Sequence, residues 1–321
     1  MFKLAEKRVK EPADVRDTIV ATLTGMMADD PDVVYMDCDT MDAFGMRKMK
    51  EAWPNNLISC GIQEANMMGV AAGLSAMGRK PYVHSFAVFA TRRCYDQLFL
   101  SAGYAKNSVK IIGTDPGVTS AYNGGTHMPF EDLALMRVVP EATVVEFTDS
   151  TMAANLLPKV KDLPGVVYMR TVRKRTTAVY EAGSDFEIGN GNLLRDGTDA
   201  TIFACGIMVD VALTAAEIAE KEGISLRVVD LFTVKPIDQK IIIESAQKTG
   251  AVVVAENHNI IGGLGSAVAE VLIEKFPVPM QRVGIEDTYG EVGSEDYLRE
   301  RFRLTPEHIL EKVRAVIRQK S

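Results

Sequence analysis

The sequence lacks long apolar runs and has no excess of basic residues, and each shortage excludes a class of protein. No run approaches the roughly 18–20 apolar residues that span a bilayer, so we expect no membrane segment. Lys and Arg number 36 against 43 Asp and Glu, which gives a formal net charge of −7. Nucleic-acid and acidic-membrane surfaces need a basic patch. We therefore expect neither as a partner.

Cysteine is also scarce. The four cysteines, Cys38, Cys60, Cys94 and Cys205, lie far apart and form no CxxC pair. This spacing favours buried thiols in a reducing compartment over disulfide or zinc use. The N-terminal stretch MFKLAEKRVKEPADVR mixes charges and has no apolar centre, so it does not look like a signal peptide. These features indicate a cytoplasmic protein.

Common catalytic signatures are missing. The sequence has no paired metal-ligand motif, no GxGxxG, no GK[ST] and no hydrolase context for a Ser/His/Asp triad. GGLGS (262–266) follows a predicted strand but has neither phosphate-loop spacing. We expect no metal site made by this chain and no simple dinucleotide-dependent dehydrogenase.

What the sequence does contain is an alternation of short apolar runs with helical stretches. This pattern predicts an α/β fold, in which a mostly parallel sheet is flanked by helices. The charged, glycine-rich segment 172–192 breaks the alternation and is interpreted as a linker or an irregular connection. Two such α/β domains are therefore predicted, over 1–185 and 186–321. The predicted strands are 32–39, 80–90, 109–115, 142–147, 165–171, 200–206, 226–231, 251–256 and 280–285. The predicted helices include 60–78, 94–102, 211–223, 237–247, 264–275 and 305–318.

A few side chains near the predicted strand ends can carry chemistry, since ligands of open α/β sheets bind there. Glu64 lies in a Met- and Ala-rich, nearly uncharged stretch, either on a solvated helix face or as a buried acid. Phe86 and Phe89 are candidate core aromatics. His127 follows two glycines in NGGTH, where a backbone can approach a ligand closely, or it belongs to an ordinary surface turn. Composition alone leaves these alternatives open.

A set of short motifs points to one family. DCDT (37–40), CGIQEANMMGVAAG (60–73), SFAVFATRRCYDQ (85–97), NGGTHMPFEDLALMRVVP (123–140), MRTVRK (169–174) and AENHNIIGGLGSAV (255–268) resemble the C-terminal section of transketolase in order and spacing. The N-terminal transketolase domain binds a diphosphate and Mg²⁺ through a GDG…N motif, and this chain contains no GDG. The chain therefore resembles the second subunit of a split transketolase, with a pyrimidine-binding domain followed by a transketolase C-terminal domain.

The resemblance implies thiamine diphosphate as cofactor, with Mg²⁺ bound mainly by a partner subunit. Glu64 matches the glutamate that hydrogen-bonds N1′ of the aminopyrimidine, and Phe89 matches the ring that stacks on it. His127 matches a loop residue that faces cofactor and donor sugar, so Glu64 and His127 are the implied catalytic residues. Arg92 lies where some relatives place a pocket arginine, although this chain has one extra residue before Asp96. The implied cofactor-binding residues are Glu64, Phe89, Arg92, Phe86 and Asp39.

The implied reaction is transfer of a two-carbon ketol unit from a ketose to an aldose. Arg16 and Arg173 fall on the phosphate-binding arginine positions, but the serine and histidine positions hold Ala43 and Asp115. An anionic Asp115 repels a dianionic phosphate, so we expect a sugar that is neutral, sulfonated or branched. Asn123 replaces an acid that contacts the donor's 2-hydroxyl. The implied substrate-binding residues are Arg16, Arg173, Asn123, Asp115 and His127.

The family's assembly implies two partners. One is an N-terminal subunit carrying the diphosphate-binding domain, and the other is a second copy of this chain. The Met-rich helix 60–77 is either ordinary core or part of that dimer interface. Three alternatives stay open: the beta subunit of a 2-oxo-acid dehydrogenase, a deoxyxylulose-phosphate-synthase-like enzyme, and a non-catalytic partner subunit.

Overall fold

The computed structural model describes residues 1–320. By internal contacts they divide into two compact units. The first contains Met1–Pro116 and Leu135–Phe186, and the second contains Gly117–Ala134 and the residues from Glu187 onward. The stretch 117–134, which precedes the linker in sequence, thus groups with the second unit. Each unit is a mostly parallel sheet with flanking helices, which confirms the predicted fold class.

The sheet of the first unit brings several candidate residues to one edge. Its neighbouring strands run in the order β5-β6-β4-β3-β1-β2, and the pairs are parallel. β4 and β6 are buried along their whole length, as expected for a strand covered on both faces. Phe86 is in register with Thr114, and Thr114 with Thr171, so these strand ends are neighbours. The strands are β1 (Val33–Asp37), β2 (Leu57–Ser59), β3 (Lys80–Phe86), β4 (Val109–Thr114), β5 (Thr143–Glu146) and β6 (Val166–Thr171).

The chain after β3 differs from the prediction. The strand predicted over 80–90 ends at Phe86, because residues 87–91 already form a helix. The single helix predicted over 94–102 is instead a 3₁₀ turn (Arg92–Cys94), a short α-helix and a π-helix (Leu98–Tyr104). The helices up to residue 160 are α1 (Val15–Asp29), α2 (Met41–Phe44), α3 (Glu64–Ala76), α4 (Ala87–Thr91), α5 (Tyr95–Gln97), α6 (Asp132–Arg137) and α7 (Ser150–Lys159).

The second unit repeats the layered plan with a different sheet. Its strand order is β12-β11-β8-β9-β7, parallel except for β7, which runs antiparallel to β9. Its strands are β7 (Asn192–Arg195), β8 (Ala200–Ala204), β9 (Leu226–Asp230), β10 (Thr233–Lys235), β11 (Val252–Asn259) and β12 (Met280–Ile285). Its helices are α8 (Met208–Lys221), α9 (Gln239–Thr249), α10 (Leu264–Lys275), α11 (Glu295–Arg301) and α12 (Pro306–Ile317).

The predicted linker is irregular but packed. Leu4 and Lys10 form isolated antiparallel bridges with Tyr180 and Thr177, so the N-terminal segment lies along it. The carboxylate of Asp149 caps α7 and also accepts the amide N–H of Tyr180 at 2.8 Å. A buried backbone donor needs such a partner. The first part of the linker, as far as Phe186, is therefore integral to the first unit.

Two composition-based expectations concern cysteines and membrane helices. All four cysteines are free thiols; Cys38, Cys94 and Cys205 are buried and Cys60 is half-buried. The prediction of buried thiols is thus confirmed for three of them. Across residues 1–320, no helix combines the length and apolarity needed to traverse a bilayer.

Candidate functional site

Glu64 is the first residue of α3 and its side chain is only 3% exposed. Its Oε1 accepts a hydrogen bond from Nη1 of Arg93 at 2.9 Å. A carboxylate in the first turn of a helix is further stabilised by the helix dipole. Composition left Glu64 either on a solvated helix face or buried as an acid, and the structure shows it buried.

Arg93 also lies on the ring of Phe89. Its Cζ is 3.7 Å from the ring centroid, within the range of a cation–π contact. The two residues are four positions apart, so helical geometry brings their side chains to one face. One flat guanidinium therefore contacts both Phe89 and Glu64.

Arg93 is a residue that the sequence analysis missed, since it named the neighbouring Arg92. Both belong to the 3₁₀ turn after α4, and Arg92 is exposed there. The described contacts to Glu64 and Phe89 come from Arg93. The spacing gave only a partial signal, because Arg92 and Arg93 lie three and four residues after Phe89 and both spacings bring side chains to one helix face.

A second cluster in the same unit pairs Arg173 with Asp115. Nε and Nη2 of Arg173 lie 2.6 and 2.5 Å from Oδ2 of Asp115, and the Arg173 amide donates to Oδ1 at 3.1 Å. The side chains are 15% and 5% exposed, respectively. Asp115 has φ of 53°, in the left-handed region that Asp tolerates better than most residues. Asp115, which the resemblance places where relatives have a histidine, is thus paired with Arg173, one of the two expected anion-binding arginines.

Arg16 joins this cluster through the backbone of Ala43. Nη1 of Arg16 and Nη1 of Arg173 donate to the Ala43 carbonyl at 2.9 and 3.2 Å. Nη2 of Arg16 is 3.4 Å from a carboxylate oxygen of Asp14. Two guanidinium groups therefore converge, but Asp115 and Asp14 offset most of their positive charge. Such a cluster has less net attraction for a dianion than two unpaired arginines would have.

Phe86 connects the two clusters. The Cζ of Arg173 is 4.8 Å from its ring centroid. The rings of Phe86 and Phe89 meet edge-to-face, with centroids 6.2 Å apart and planes at 82°. The candidate residues Glu64, Phe89, Phe86, Arg173 and Asp115 hence form one continuous group within the first unit.

His84 is a buried group of this region that the sequence analysis did not select. One ring nitrogen lies 3.0 Å from the Tyr35 hydroxyl and 3.1 Å from that of Thr40, and the other lies 3.1 Å from the Thr114 hydroxyl. Burial, and secondarily the positive charge of Arg173, lower the pKa of His84 well below its usual range. The imidazole is therefore neutral near pH 7 and adds no cation to the arginine cluster.

Asp39 and Asp37 lie close together at the end of β1 in very different settings. The side chain of Asp39 is 60% exposed and 4.0 Å from Nη2 of Arg47. Asp37 is fully buried, and neither carboxylate oxygen has a hydrogen-bond partner of normal geometry. Burial raises the pKa of Asp37 to about 6. The negative charge of Asp39 contributes to this rise, whereas the polar side chain of Ser59 lowers the pKa and partly offsets it.

We expect Asp37→Asn to stabilise the protein in a pH-dependent way. The wild-type carboxyl is neutral in both states at low pH and must ionise while buried at high pH, so its contribution to stability is lost as pH rises through about 6. The variant should gain up to about 3 kcal/mol of unfolding free energy at pH 8 and less than about 1 at pH 4. Urea denaturation at both pH values measures this. Asp29→Asn, on an exposed position of α1, is the control, and an equal effect of Asp37→Asn at both pH values would contradict the prediction.

Asn123 and His127 belong to the second unit. Asn123 is exposed at the end of a 3₁₀ segment, and His127 is half-buried with Nδ1 3.0 Å from the Thr126 hydroxyl. The neighbouring glycines have a packing reason, because a Cβ on Gly125 would collide with the carbonyl of Gly290. The close approach that these glycines permit is therefore to another loop of the same unit.

The GGLGS segment also has an internal explanation. The fully buried carboxylate of Glu256 accepts the amide N–H groups of Leu264 and Gly265, at 2.7 and 2.9 Å. A Cβ on Gly263 would overlap the same carboxylate. The anion that this helix start binds is thus a side chain of the chain itself.

Comparison with known proteins gives the family. The family model "Transketolase, pyrimidine binding domain" matches residues 11–177, and "Transketolase, C-terminal domain" matches residues 189–309. The chain belongs to the transketolase family. Together the two matches cover most of the chain in the order that the motifs predict, so the predicted family is confirmed.

Relatives that are subunits of split transketolases align over nearly the whole chain. The 6-deoxy-6-sulfo-D-fructose transketolase subunit of a Clostridium species (strain MSTE9) is 46% identical over 307 residues, 96% of this chain and 95% of that protein. One of the subunits of the apulose-4-phosphate transketolase of Phocaeicola vulgatus is 35% identical over 274 residues, 85% of this chain and 87% of that protein. A solved structure described as a split gene transketolase, inactive beta4 tetramer, superposes with a TM-score of 0.90 at 40% identity, covering 96% of this chain and 99% of that one. This transketolase chain thus resembles subunits of split enzymes, as the missing GDG motif predicts.

Glu64 and Phe89 have the polarity and shape that an aminopyrimidine ring would require. Phe89 has a planar, nitrogen-rich group on its face that also donates to Glu64. An aminopyrimidine has the same two properties, a flat ring and polar nitrogen atoms at its edge. Glu64 and Phe89 therefore fit that part of thiamine diphosphate. Within residues 1–320, no group of three or more His, Cys, Asp and Glu side chains can hold a metal ion.

Proposed function

We propose that this chain is the pyrimidine-binding subunit of a split, thiamine-diphosphate-dependent transketolase. The observation that carries the proposal is the buried carboxylate of Glu64 and the ring face of Phe89, which contact the same guanidinium of Arg93. Glu64 would hold a proton at N1′ of the aminopyrimidine, and Phe89 would fix the ring plane by stacking. The bound cofactor supplies the nucleophilic carbon that breaks and forms carbon–carbon bonds.

Other residues receive supporting roles in this proposal. Phe86 backs Phe89 and keeps the arginine cluster next to the pyrimidine position. Arg92 and Asp39, both exposed at their turns, are proposed to contact the cofactor in the assembled enzyme. His127 is proposed to act on the sugar's hydroxyl protons, and Asn123 to hydrogen-bond the donor.

The proposal requires a second kind of subunit. The diphosphate and Mg²⁺ would be bound mainly by an N-terminal transketolase subunit, because the GDG motif is absent here. We propose an assembly of two copies of each chain in the cytoplasm, with this chain also contacting its own copy. The solved relative described as an inactive beta4 tetramer supports the need for the other subunit.

We propose a sulfonated ketose as the donor. A phosphate monoester carries nearly two negative charges at pH 7, whereas a sulfonate carries one. The Arg16–Arg173 cluster already contains Asp115 and Asp14, so its remaining charge suits a monoanion better. The sulfofructose transketolase subunit, at 46% identity, supports this choice. Transfer of the first two carbons of such a six-carbon ketose would leave a four-carbon aldose bearing the sulfonate.

A donor panel tests the proposal. The chain is co-purified with its partner from its own source, and native mass spectrometry in thiamine diphosphate and Mg²⁺ identifies a second chain of roughly 30 kDa. The complex is then assayed with 6-deoxy-6-sulfofructose, fructose 6-phosphate, xylulose 5-phosphate, apulose 4-phosphate and fructose. We expect kcat/KM for the sulfonated ketose to exceed that for fructose 6-phosphate at least about tenfold, the effect of about 1.4 kcal/mol.

The possible results separate the parts of the proposal. Equal turnover of xylulose 5-phosphate would overturn the sulfonate specificity but keep ketol transfer. Preference for apulose 4-phosphate would place the chain with the branched-sugar enzymes. A homo-oligomer without partner or cofactor would favour a non-catalytic role, and activity on 2-oxo acids with a lipoyl-bearing partner would favour a dehydrogenase.

A further inference from the structure

We propose that Arg93 is a built-in competitor for the aminopyrimidine position and must turn away when the cofactor binds. The inference rests on the proposed function, because it takes Glu64 and Phe89 as the pyrimidine site. It concerns Arg93, the neighbour of the arginine that the resemblance places in the pocket, and it gives Arg93 a role in the cofactor-free protein. It adds an opening step to cofactor binding that is controlled by one side chain.

The guanidinium of Arg93 uses both surfaces that an aminopyrimidine needs. It lies 3.7 Å from the Phe89 ring centroid and donates to Oε1 of Glu64 at 2.9 Å. Guanidinium and aminopyrimidine are both planar and carry nitrogen donors at the edge. In this proposal the aminopyrimidine stacks on the face of Phe89 that Arg93 covers, beside the Glu64 oxygen to which Arg93 donates. That face has room for one planar group at contact distance, so each group would exclude the other.

The exchange is sterically possible because only Arg93 has to move. Its side chain is 46% exposed, whereas Glu64 is 3% exposed. The residue belongs to a 3₁₀ turn outside the sheet, and its side chain has several rotatable bonds. Arg93 can rotate into solvent without displacing the core residues around Glu64.

Arg93 stabilises the buried carboxylate of Glu64 when no cofactor is bound. An unpartnered buried carboxylate is strongly unfavourable, and removal of its partner is correspondingly costly. With Arg93 in place, Glu64 has a hydrogen-bonding cation. As the cation leaves, Glu64 would take up one proton from solvent and share it with N1′ of the entering ring, because that nitrogen is an acceptor in a neutral aminopyrimidine. Glu64 thus has a hydrogen-bond partner both before and after the cofactor binds.

The competition predicts that removing Arg93 tightens cofactor binding. When only part of the population is open, the apparent dissociation constant equals the intrinsic one divided by the open fraction. We expect Arg93→Met and Arg93→Ala to lower the Kd for thiamine diphosphate about tenfold, equivalent to about 1.4 kcal/mol. Arg93→Lys retains a cation for Glu64 but has no flat face, and its Kd should lie between those of Arg93→Met and the wild type.

The experiment measures Kd by isothermal titration calorimetry on the assembled two-chain complex, with Mg²⁺ present and no sugar. Arg301→Ala is a matched control, because Arg301 also lies over an aromatic ring (Cζ 5.4 Å from Phe302), pairs with a carboxylate (Glu291, 2.7 Å) and is 51% exposed. Its Kd should equal that of the wild type. Arg93→Lys keeps the test informative if Arg93→Ala and Arg93→Met fail to fold.

The outcomes distinguish this inference from the proposed function. A wild-type complex that binds no thiamine diphosphate would remove the proposed function itself. Wild-type binding with an unchanged Kd in the Arg93 variants would overturn the competition. Weaker binding in Arg93→Met and Arg93→Lys would also overturn it, since Arg93 would then contact the bound cofactor. Tighter binding in the Arg93 variants, with Arg301→Ala unchanged, supports it.

Discussion

Glu64→Gln should lower the kcat of the assembled enzyme by about 10³-fold at saturating cofactor. General acid–base groups contribute about 10²–10⁴-fold to rates, and the amide of glutamine cannot exchange a proton with N1′. The substitution keeps the shape of the side chain, and Arg93 can still donate to the remaining oxygen. The fold should therefore survive. Steady-state ketol transfer measures the loss, and far-ultraviolet circular dichroism with thermal unfolding checks the fold.

A control at another position separates a local loss from a general one. Glu274 is an exposed residue of α10, and Glu274→Gln should retain wild-type kcat. Glu64→Asp shortens the acid but keeps its proton, so its kcat should fall less than that of Glu64→Gln. Near-normal turnover by Glu64→Gln would remove Glu64 from the proposed role.

Arg173→Met should lower kcat/KM for the sulfonated donor by about 10²-fold and change that for neutral fructose little. A hydrogen bond to a charged group contributes about 1.5–3 kcal/mol, and one such loss at the upper end of that range exceeds 10²-fold. Arg173 has further donor capacity besides its bonds to Asp115 and Ala43, since a guanidinium carries five N–H groups. Initial rates with both donors on the same enzyme preparation give the ratio directly.

The interpretation needs two further variants. Arg173→Met leaves Asp115 buried beside the lost cation, so Arg173→Met/Asp115→Asn should recover stability but not the sulfonate preference. Arg195→Met replaces a half-buried arginine of β7 that pairs with Glu220, and it should leave both rates unchanged. Equal losses for sulfonated and neutral donors would show that Arg173 supports the fold rather than binding the anion.

The two arginine clusters of the first unit contain the same three kinds of side chain but differ in the solvent exposure of the arginine. Each has an arginine over a phenylalanine ring and paired with a buried carboxylate: Arg93, Phe89 and Glu64, or Arg173, Phe86 and Asp115. Arg93 is 46% exposed, whereas Arg173 is 15% exposed and makes a backbone hydrogen bond to Ala43. Because of this difference in exposure, we propose that Arg93 is displaceable and that Arg173 is a fixed part of the proposed anion-binding site.

The sequence by itself determined the α/β class, most of the strands and the family. Strand positions such as 109–115 and 165–171 were predictable because fully buried parallel strands are continuous apolar runs. Glu64 could be selected because an acid in an otherwise uncharged helix stands out, and Phe89 because it matches an aromatic position of the family motifs. The helix 60–78 was found within a few residues of α3.

Only the tertiary structure decided which charges meet. Arg93, in the 3₁₀ turn after α4, donates to Glu64 at the start of α3, a partner that is 29 residues away in sequence. The pairing of Arg173 with Asp115 depends on adjacent ends of β4 and β6, whose sequence separation hides their contact. The carboxylate of Glu256 and the carbonyl of Gly290 occupy the space that glycine-rich motifs otherwise leave for ligands. Local patterns specify elements, whereas electrostatic partners are set by long-range packing and by the exact direction of each side chain.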